Sequence, residues 1–183
     1  NEAGFGAPFL HNVADPEAIA RSLGFPLWIK RSDSTAKTAS DVRFIADEAQ
    51  LRSALADFAA AGIKDFIVSA HLEGDLVKFY GVEGTPFFSH TYPTRENGFS
   101  KFGLEQHNGA PAEYSFSVSA LKTTADAAAR HFGMPIYGGD AIIRPDGRFF
   151  LIDFNDWPSF GSCTQAAAEA IATRALHFLR PGA

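Results

Sequence analysis

Hydrophobic and polar positions alternate in short blocks along the chain, and these blocks predict helices interleaved with strands. Apolar residues at helical spacing predict helices over 47–61, 115–132 and 164–179. A further short helix is predicted from Asp15 to Gly24, because Asp15 can cap it and Pro16 suits its first turn. Short apolar runs predict strands over 25–30, 41–46, 65–70, 76–82, 85–91 and on both sides of Asp146-Gly147. Together these elements predict an α+β fold.

Two stretches lack a clear pattern. Residues 1–12 are rich in glycine and aromatic side chains, and we interpret them as a connecting segment whose partner structure is not in this chain. Residues 93–111 are polar and predict a long loop, and loops of that length in compact domains often carry function.

The hairpin predicted near the C-terminal end carries acids where apolar strand residues are expected. An Asp-Gly pair between β-rich runs is a strong hairpin signal, because a type I′ turn needs positive φ at both central residues. If Asp146 and Gly147 are those residues, Asp140 and Asp153 face each other, roughly 5 Å apart at Cβ. A loop of three or four residues would instead shift the register by one and place the two acids on opposite faces.

Opposed carboxylates need a cation or a shared proton, because like charges repel at that distance. The two-residue period of a strand puts Asn155 on the face of Asp153, so two carboxylates and an amide oxygen converge. Hard oxygen ligands of this kind suit Mg²⁺ or Mn²⁺, with water and substrate phosphates completing the shell. The hairpin therefore predicts a divalent-metal site.

Composition excludes several classes of function. The chain has 183 residues, 46% of them hydrophobic, which is enough for one domain or two small ones. A net charge of -5 without a dense basic tract argues against nucleic acid or an anionic membrane as partner, and no apolar run reaches membrane-spanning length. The single cysteine, Cys163, excludes an internal disulfide and fits a reducing cytoplasm. Six scattered histidines do not favour zinc.

The order of these pieces resembles the ATP-grasp superfamily, which includes D-alanine ligase, glutathione synthetase, carbamoyl-phosphate synthetase and the inositol trisphosphate kinases. The resemblance runs from about Phe5 to Trp157. It rests on the strand that ends at Lys30, the small-residue loop after it, the strand-helix-strand that follows, and the acidic hairpin with its Asp153-Phe154-Asn155 motif.

The resemblance implies an ATP-grasp fold with a small α/β lid and a larger C-terminal antiparallel sheet carrying helices. Residues 1–25 would form a linker and entry helix, residues 26–74 the lid, and residues 75–183 the subdomain that binds ATP and Mg²⁺. It implies an ATP- and Mg-dependent ligase that joins a carboxylate to an amine or thiol through an acylphosphate. The alternatives are a small-molecule kinase of the inositol-phosphate kinase type and a nucleotide-binding module without catalysis. The partners are then ATP and a small-molecule or peptide acceptor.

The resemblance also implies roles for single residues. Two lysines, one ending a lid strand and one on the following sheet, would reach the ATP phosphates as catalytic residues. A hinge segment would contact adenine, an acid would bind ribose, three residues would hold the metal, and a basic loop residue would steer the substrate. The two lysines are Lys30 and Lys78, and the hinge residues that would contact adenine are Ser69, Ala70 and Leu72. Asp75 would bind ribose, and Asp140, Asp153 and Asn155 would hold the metal. Arg95 is the basic loop residue that would steer the substrate.

The sequence also departs from the family pattern. The loop over 32–40 contains no glycine, although lid loops of the family are glycine-rich, so its hydroxyls and Lys37 would take over phosphate contacts. Tyr137-Gly138-Gly139 stands where D-alanine-type ligases carry an arginine. The chain is expected to begin at the linker after the family's N-terminal domain. Trp157 is expected to fill the core behind the metal site rather than to stack on a base.

Overall fold

The computed structural model of the chain describes residues 4–34, 36–93 and 103–179, which hold nine strands and four α-helices in the predicted α+β order. The helices are α1 (Pro16–Leu23), α2 (Glu48–Ala60), α3 (Val118–Phe132) and α4 (Thr164–Phe178). The strands are β1 (Gly4–Phe5), β2 (Phe9–His11), β3 (Leu27–Arg31), β4 (Val42–Ile45), β5 (Phe66–Ala70), β6 (Asp75–Val82), β7 (Phe88–Thr91), β8 (Ile136–Ile143) and β9 (Phe149–Asp156). The predicted fold class is confirmed.

These elements form two compact units, each with its own sheet. The first unit comprises residues 4–5, 74–93 and 108–179, and its sheet has the order β1-β9-β8-β6-β7, antiparallel except for the parallel pair β1-β9. The second unit comprises residues 6–73 and 103–107, and its antiparallel sheet has the order β2-β5-β3-β4.

Helix ends follow from local chemistry. Asp15 caps α1 by accepting a hydrogen bond from the backbone N–H of Glu17 at 3.0 Å, as the sequence predicts. Asp47 and Ser117 cap α2 and α3 in the same way. Gly133 ends α3 in the left-handed conformation, with φ of +68°, where a side chain would be strained.

One face of each sheet is covered by helices. In the first unit, α3 packs on the sheet through Leu121, Ala125, Ala128 and Ala129, which meet residues such as Phe79 and Tyr137. In the second unit, Ile19 of α1 and the apolar stripe of α2 cover the β3 and β5 side chains. Each unit therefore has its own buried core.

The start of the chain differs from the sequence interpretation. Residues 1–12 were expected to connect to structure outside the chain, but two short strands in this stretch pair within it. β1 joins β9 and β2 joins β5, with Leu10 opposite Val68. Strands of two and three residues are too short to show a periodic pattern in the sequence, which is why the prediction missed them.

Among the described residues, none of the helices combines the length and the apolar character needed to cross a bilayer.

Candidate metal and nucleotide site

Polar side chains form two adjacent rows across the first unit's sheet. In one row Lys78 of β6 is paired with Asp140 of β8, which is paired with Asp153 of β9. In the next row Tyr80 is paired with Gly138, which is paired with Asn155. Because positions two apart in a strand share a face, both rows lie on the same face of the sheet. The structure thus brings together Lys78 and the three predicted metal ligands.

The turn that produces this pairing differs from the predicted one. Arg144 and Arg148 close the hairpin, and the backbone N–H of Gly147 donates to the carbonyl of Arg144 at 2.9 Å. The loop therefore has three residues, Pro145, Asp146 and Gly147, rather than the two of a type I′ turn. Gly147 takes a φ of +78°, and Pro145 is suited to the first central position of a tight turn.

A β-bulge then cancels the register shift that this longer loop produces. Ala141 is paired with Leu151, but the neighbouring Asp140 is paired with Asp153, so Ile152 is an extra residue in β9. Such an insertion moves every later side chain of the strand by one position. The loop alone would have separated the two acids, and the bulge restores them to one face.

The charges in these rows are arranged around Asp140. Lys78 Nζ lies 3.2 Å from Asp140 Oδ1, and both side chains are about three-quarters buried. Asn155 Nδ2 donates to Asp153 Oδ2 at 2.6 Å. Burial raises the pKa of the nearby Tyr80 phenol. Among the described residues, two adjacent carboxylates and one lysine share this part of the sheet face.

This donor set fits a hard divalent cation. Asp140 and Asp153 supply carboxylate oxygens on one face, and the amide of Asn155 adds a neutral oxygen donor from the same strand as Asp153. Among the described residues, no cluster of three or more histidine, cysteine or acidic side chains forms a metal site. The candidate ligands are two acids and one amide, which suits a cation that retains water and phosphate ligands.

The segment after β9 folds back over the same face. A β-carbon built on Gly138 would lie 2.7 Å from Pro158 Cβ, so glycine at this position allows Pro158 to pack on the sheet. Phe160 follows and packs against Tyr80, with ring centroids 6.0 Å apart. This segment borders the polar rows on the side away from Asp140.

Trp157, at the start of this segment, does not fill the core. Its side chain is 67% exposed, and its backbone takes a φ of +42°. The expectation of a buried tryptophan behind the metal site is therefore wrong. The chain reverses at this residue to reach the sheet face, and the reversal turns the indole toward solvent.

Asp75, predicted to bind ribose, is 4% exposed, and both of its oxygens have partners. They accept hydrogen bonds from the backbone N–H groups of Ala112 and Tyr114, at 2.7 and 2.9 Å. In the first unit this carboxylate anchors the segment that leads into α3. Its ribose contact stays a prediction.

The predicted hinge is the end of β5 in the second unit. Ala70 donates its N–H to the carbonyl of Pro8 at 2.9 Å, and His71 donates to that of Pro26 at 3.0 Å. Ser69 is paired with Trp28. The predicted adenine contacts of Ser69, Ala70 and Leu72 stay predictions, and two of the N–H groups in this segment already have acceptors.

Lys30 lies on the open face of the second unit's sheet. It is paired with Val42 on one side and Ile67 on the other, and it shares its face with Trp28 two residues earlier. Trp28 Nε1 donates to His71 Nδ1 at 3.0 Å, and burial lowers the pKa of His71, so the neutral ring is the acceptor. Lys30 thus extends from a face that also carries aromatic rings.

One feature that the sequence analysis missed is the buried acid Asp41, which is 5% exposed. Backbone N–H groups of Thr38 and Lys37, together with Arg31, hold the pKa of the Asp41 carboxyl at about 2, below its ordinary value of 3.8. In the sequence Asp41 is only the first residue of the strand predicted over 41–46, and nothing in that pattern marks it as buried. The predicted substrate residue Arg95 lies outside the described residues.

Comparison of this structure with solved structures gives matches at low sequence identity. D-alanyl-alanine synthetase A from Vibrio cholerae superposes with a TM-score of 0.60 at 14% identity, over 87% of this chain and 53% of that one. The ATP-grasp RimK domain protein from Sphaerobacter thermophilus gives 0.61 at 14% identity, over 93% and 61%. D-alanine–D-alanine ligase from Bacillus anthracis, solved with ATP, gives 0.60 at 13% identity, over 92% and 54%.

The chain has the ATP-grasp fold. This confirms the resemblance seen in the order of its sequence elements. The chain spans between 53% and 61% of the length of these three ATP-grasp structures. By sequence, no protein-family model and no curated protein matches it.

Proposed function

We propose that this chain carries the nucleotide-binding part of an ATP- and Mg-dependent ligase that activates a carboxylate as an acylphosphate. The observation that carries the proposal is the row Lys78–Asp140–Asp153 with Asn155 beside it, on one face of the sheet. The fold shared with D-alanine ligases and a RimK domain protein supports it. Residues 26–74 would act as the lid subdomain.

In the proposed reaction each residue acts through charge and position. Asp140, Asp153 and Asn155 would hold Mg²⁺, which neutralises charge that develops on the β- and γ-phosphates. Lys78 would fix Asp140 by its ion pair and add positive charge beside the phosphates, and Lys30 would add a second ammonium from the lid. The lysines and acids do no covalent chemistry, so the catalysis consists of positioning and electrostatic stabilisation.

The bond changes would occur in two steps. An oxygen of the substrate carboxylate attacks the γ-phosphorus while the bond to the β-phosphate oxygen breaks, which gives an acylphosphate and ADP. An amine or thiol then attacks the acyl carbon, inorganic phosphate leaves, and the nucleophile loses its proton to solvent or to a phosphate oxygen. Closure of the lid would exclude water, which otherwise hydrolyses the acylphosphate.

A small-molecule kinase is the second candidate, and one observation favours it. Tyr137-Gly138-Gly139 stands where D-alanine-type ligases carry an arginine, and of these residues Gly139 lies so close to the carbonyl of Asp153 that a side chain does not fit. An arginine that stabilises an acyl oxyanion is therefore absent from that strand. A kinase needs only a hydroxyl acceptor and no such group.

Calorimetry of the protein with Mg-ATP tests the proposal. Replacing Asp153 by Asn should weaken Mg-ATP binding at least about 10-fold, the lower end of the loss seen when even a supporting partner of a metal ligand is removed. Thermal stability should stay equal or rise, because the variant relieves the repulsion between Asp153 and Asp140. Asp156→Asn, an exposed acid on the opposite face of the same strand, is the matched control.

The reaction class is settled by ADP release on two panels of acceptors. A ligase releases ADP only when a carboxylate is supplied, whereas a kinase does so with a polyol alone. Binding of Mg-ATP without turnover on either panel would point to a module without catalysis. Equal Mg-ATP affinity in wild type and Asp153→Asn would contradict the metal-site assignment.

A further inference from the structure

Four aromatic rings meet on the face of the second unit's sheet that carries Trp28. Trp28 of β3 and Phe44 of β4 are directly paired, and their ring centroids lie 5.2 Å apart in an edge-to-face arrangement. The centroid of His71, just after β5, lies 5.4 Å from that of Phe44, and the ring of His107 stacks on Phe44 at 4.1 Å. All four residues belong to the second unit, and we call them the ring cluster.

His107 joins a distant segment of the chain to this cluster. It belongs to a short 3₁₀-helix, Leu104–Asn108, within the stretch that the sequence predicts to be a long loop. Besides stacking on Phe44, its ring meets Trp28 edge-on with centroids 5.5 Å apart, although the residue as a whole is exposed. The ring cluster therefore attaches this segment to the sheet of its own unit.

The hydrogen bond between Trp28 and His71 selects one form of the histidine. Trp28 Nε1 donates to His71 Nδ1 at 3.0 Å, and an indole nitrogen can only donate. His71 must therefore accept at Nδ1, which requires the neutral ring with its proton on Nε2. A second proton would bind at Nδ1, the atom that already accepts from the indole, so charging His71 breaks this hydrogen bond.

The surroundings of His71 oppose its positive charge. Burial lowers the pKa of His71 below its ordinary value of 6.5; Glu73 acts in the opposite direction, and His107 lowers the pKa further. The neutral ring is therefore the form that the folded unit favours at neutral pH. The charged or titratable groups on the elements around the ring are Glu73 on its own segment, Lys30 on β3, and Glu105 and His107 on the 3₁₀-helix.

The lowered pKa of His71 sets the direction of the pH effect. Protonation is harder when the ring cluster is intact than when it is open, where the ordinary value of 6.5 applies. The intact cluster therefore loses stability as the pH falls below 6.5, until the pH passes the lowered pKa of His71. Above 6.5 the histidine stays neutral in both states and contributes no pH dependence.

We propose that the ring cluster is a pH-sensitive latch, in which protonation of His71 breaks its hydrogen bond with Trp28 and releases the segment that carries His107. Histidine protonation that changes a contact between two parts of a protein is a common way to sense acidity. The latch involves no residue of the proposed metal site, so it does not depend on the proposed function.

NMR spectroscopy of the full chain, with isotope-labelled tryptophan, tests the latch from about pH 8 to about pH 4, on either side of the ordinary histidine pKa. The chain has two tryptophans, and Trp157 is 67% exposed. On acidification the indole N–H signal of Trp28 should move toward the position of the Trp157 signal. Nuclear Overhauser contacts between the rings of Phe44 and His107 should disappear over the same pH range. A Trp28 signal that does not change would overturn the proposal.

His71→Gln separates titration of His71 from other effects of acid. The glutamine amide oxygen can accept from the Trp28 indole but does not titrate, so the Trp28 signal and the contacts between Phe44 and His107 should persist at acidic pH. His11→Gln is the matched control, because His11 is a half-exposed histidine of the same unit outside the ring cluster, and this variant should behave as wild type. Equal acid sensitivity of wild type and His71→Gln would overturn the proposal.

His107→Phe provides a second variant if His71→Gln does not fold. A phenylalanine can still stack on Phe44 but removes a group that lowers the pKa of His71. The change in the Trp28 signal should then move to higher pH. A change that stays at the wild-type pH would contradict titration of His71 as its cause.

General acid unfolding has a different signature. Circular dichroism should retain the helical signal throughout the change at Trp28, because the latch opens without loss of the helices. If the helical signal disappears together with the wild-type Trp28 signal, the protein unfolds as a whole and the latch is overturned.

Discussion

Two adjacent glycines of β8 differ in what a side chain would meet. A β-carbon on Gly139 would collide with the carbonyl oxygen of Asp153, which is backbone and cannot turn away. A β-carbon on Gly138 would instead meet the ring of Pro158, in a loop segment that can shift. Both glycines allow a neighbouring group to approach the backbone of β8 closely. Only at Gly139 is that neighbour the backbone of β9 at Asp153.

We therefore predict that Gly139→Ala lowers the free energy of unfolding by about 1–3 kcal/mol, the usual cost of overpacking, and that Gly138→Ala costs less. Gly139→Ala should also reduce Mg-dependent ATP binding, because it displaces Asp153. Urea denaturation and calorimetry on both variants measure these effects. The reverse order of stability would show that Pro158 is the more rigid neighbour.

Single residues were predictable where their role depends on short-range geometry. Asp153 and Asn155 share a face because of strand alternation, which the sequence displays directly, whereas the facing of Asp140 and Asp153 depends also on the bulge at Ile152. The ion pair of Lys78 with Asp140 depends on β6 pairing with β8, and that pairing joins distant parts of the chain. The buried role of Asp41 depends on how a loop folds, and the exposure of Trp157 on where the chain reverses. Neither leaves a periodic signal in the sequence.

At the scale of elements, the hairpin β8-β9 is held in register by two compensating irregularities. The three-residue loop moves β9 by one position, and the extra residue Ile152 moves it back. The sequence predicted correctly that Asp140 faces Asp153, but it did so from a two-residue turn that the structure does not have. The three-residue loop and the bulge were both missed, because the bulge is not visible in the hydrophobic pattern. Whether Asp153 faces Asp140 thus depends on Ile152 being left out of the pairing.

Inserting one alanine between Ile152 and Asp153 should therefore turn Asp153 and Asn155 to the face opposite Asp140 and abolish Mg-dependent ATP binding. The core residues Phe149 and Leu151 lie between the turn and the bulge, so the chain should still fold. Calorimetry measures the Mg-dependent ATP binding, and circular dichroism measures whether the variant still folds.

Deleting Pro145 is the matched control for this prediction. It leaves Asp146-Gly147 as a two-residue turn, a favoured type I′ sequence, and keeps the bulge and the pairing of the acids. Retention of Mg-ATP binding by the variant with the inserted alanine would show that the register of β9 does not set the site.

At the scale of the molecule, each unit has its own helices, sheet and buried cluster. Phe58 of α2 is 1% exposed in the core of the second unit, and Phe79 of β6 is fully buried in the core of the first. The resemblance to the ATP-grasp superfamily implied a boundary between residues 74 and 75, and that boundary stays a prediction. The sequence did not show that strands from the first eleven residues complete both sheets.

We predict that Phe58→Ala costs about 3–5 kcal/mol, the range for losing a buried phenylalanine, and that this loss is confined to the second unit. Hydrogen exchange should then show faster exchange in β3 and β5 with little change in β8 and β9. Phe79→Ala should give the opposite distribution. Uniform acceleration in both units by either variant would show that they unfold as one.

The parallel pairing of β1 with β9 has a practical consequence for expression. Gly4 and Phe5 cover the edge of β9 at Phe150 and Leu151. A shortened version that starts after Phe5 would leave the backbone groups of that edge unpaired, in an apolar stretch suited to accepting a strand from a neighbouring copy. Aggregation of such a truncated protein would therefore reflect a bare sheet edge, and would carry no information about its catalytic competence.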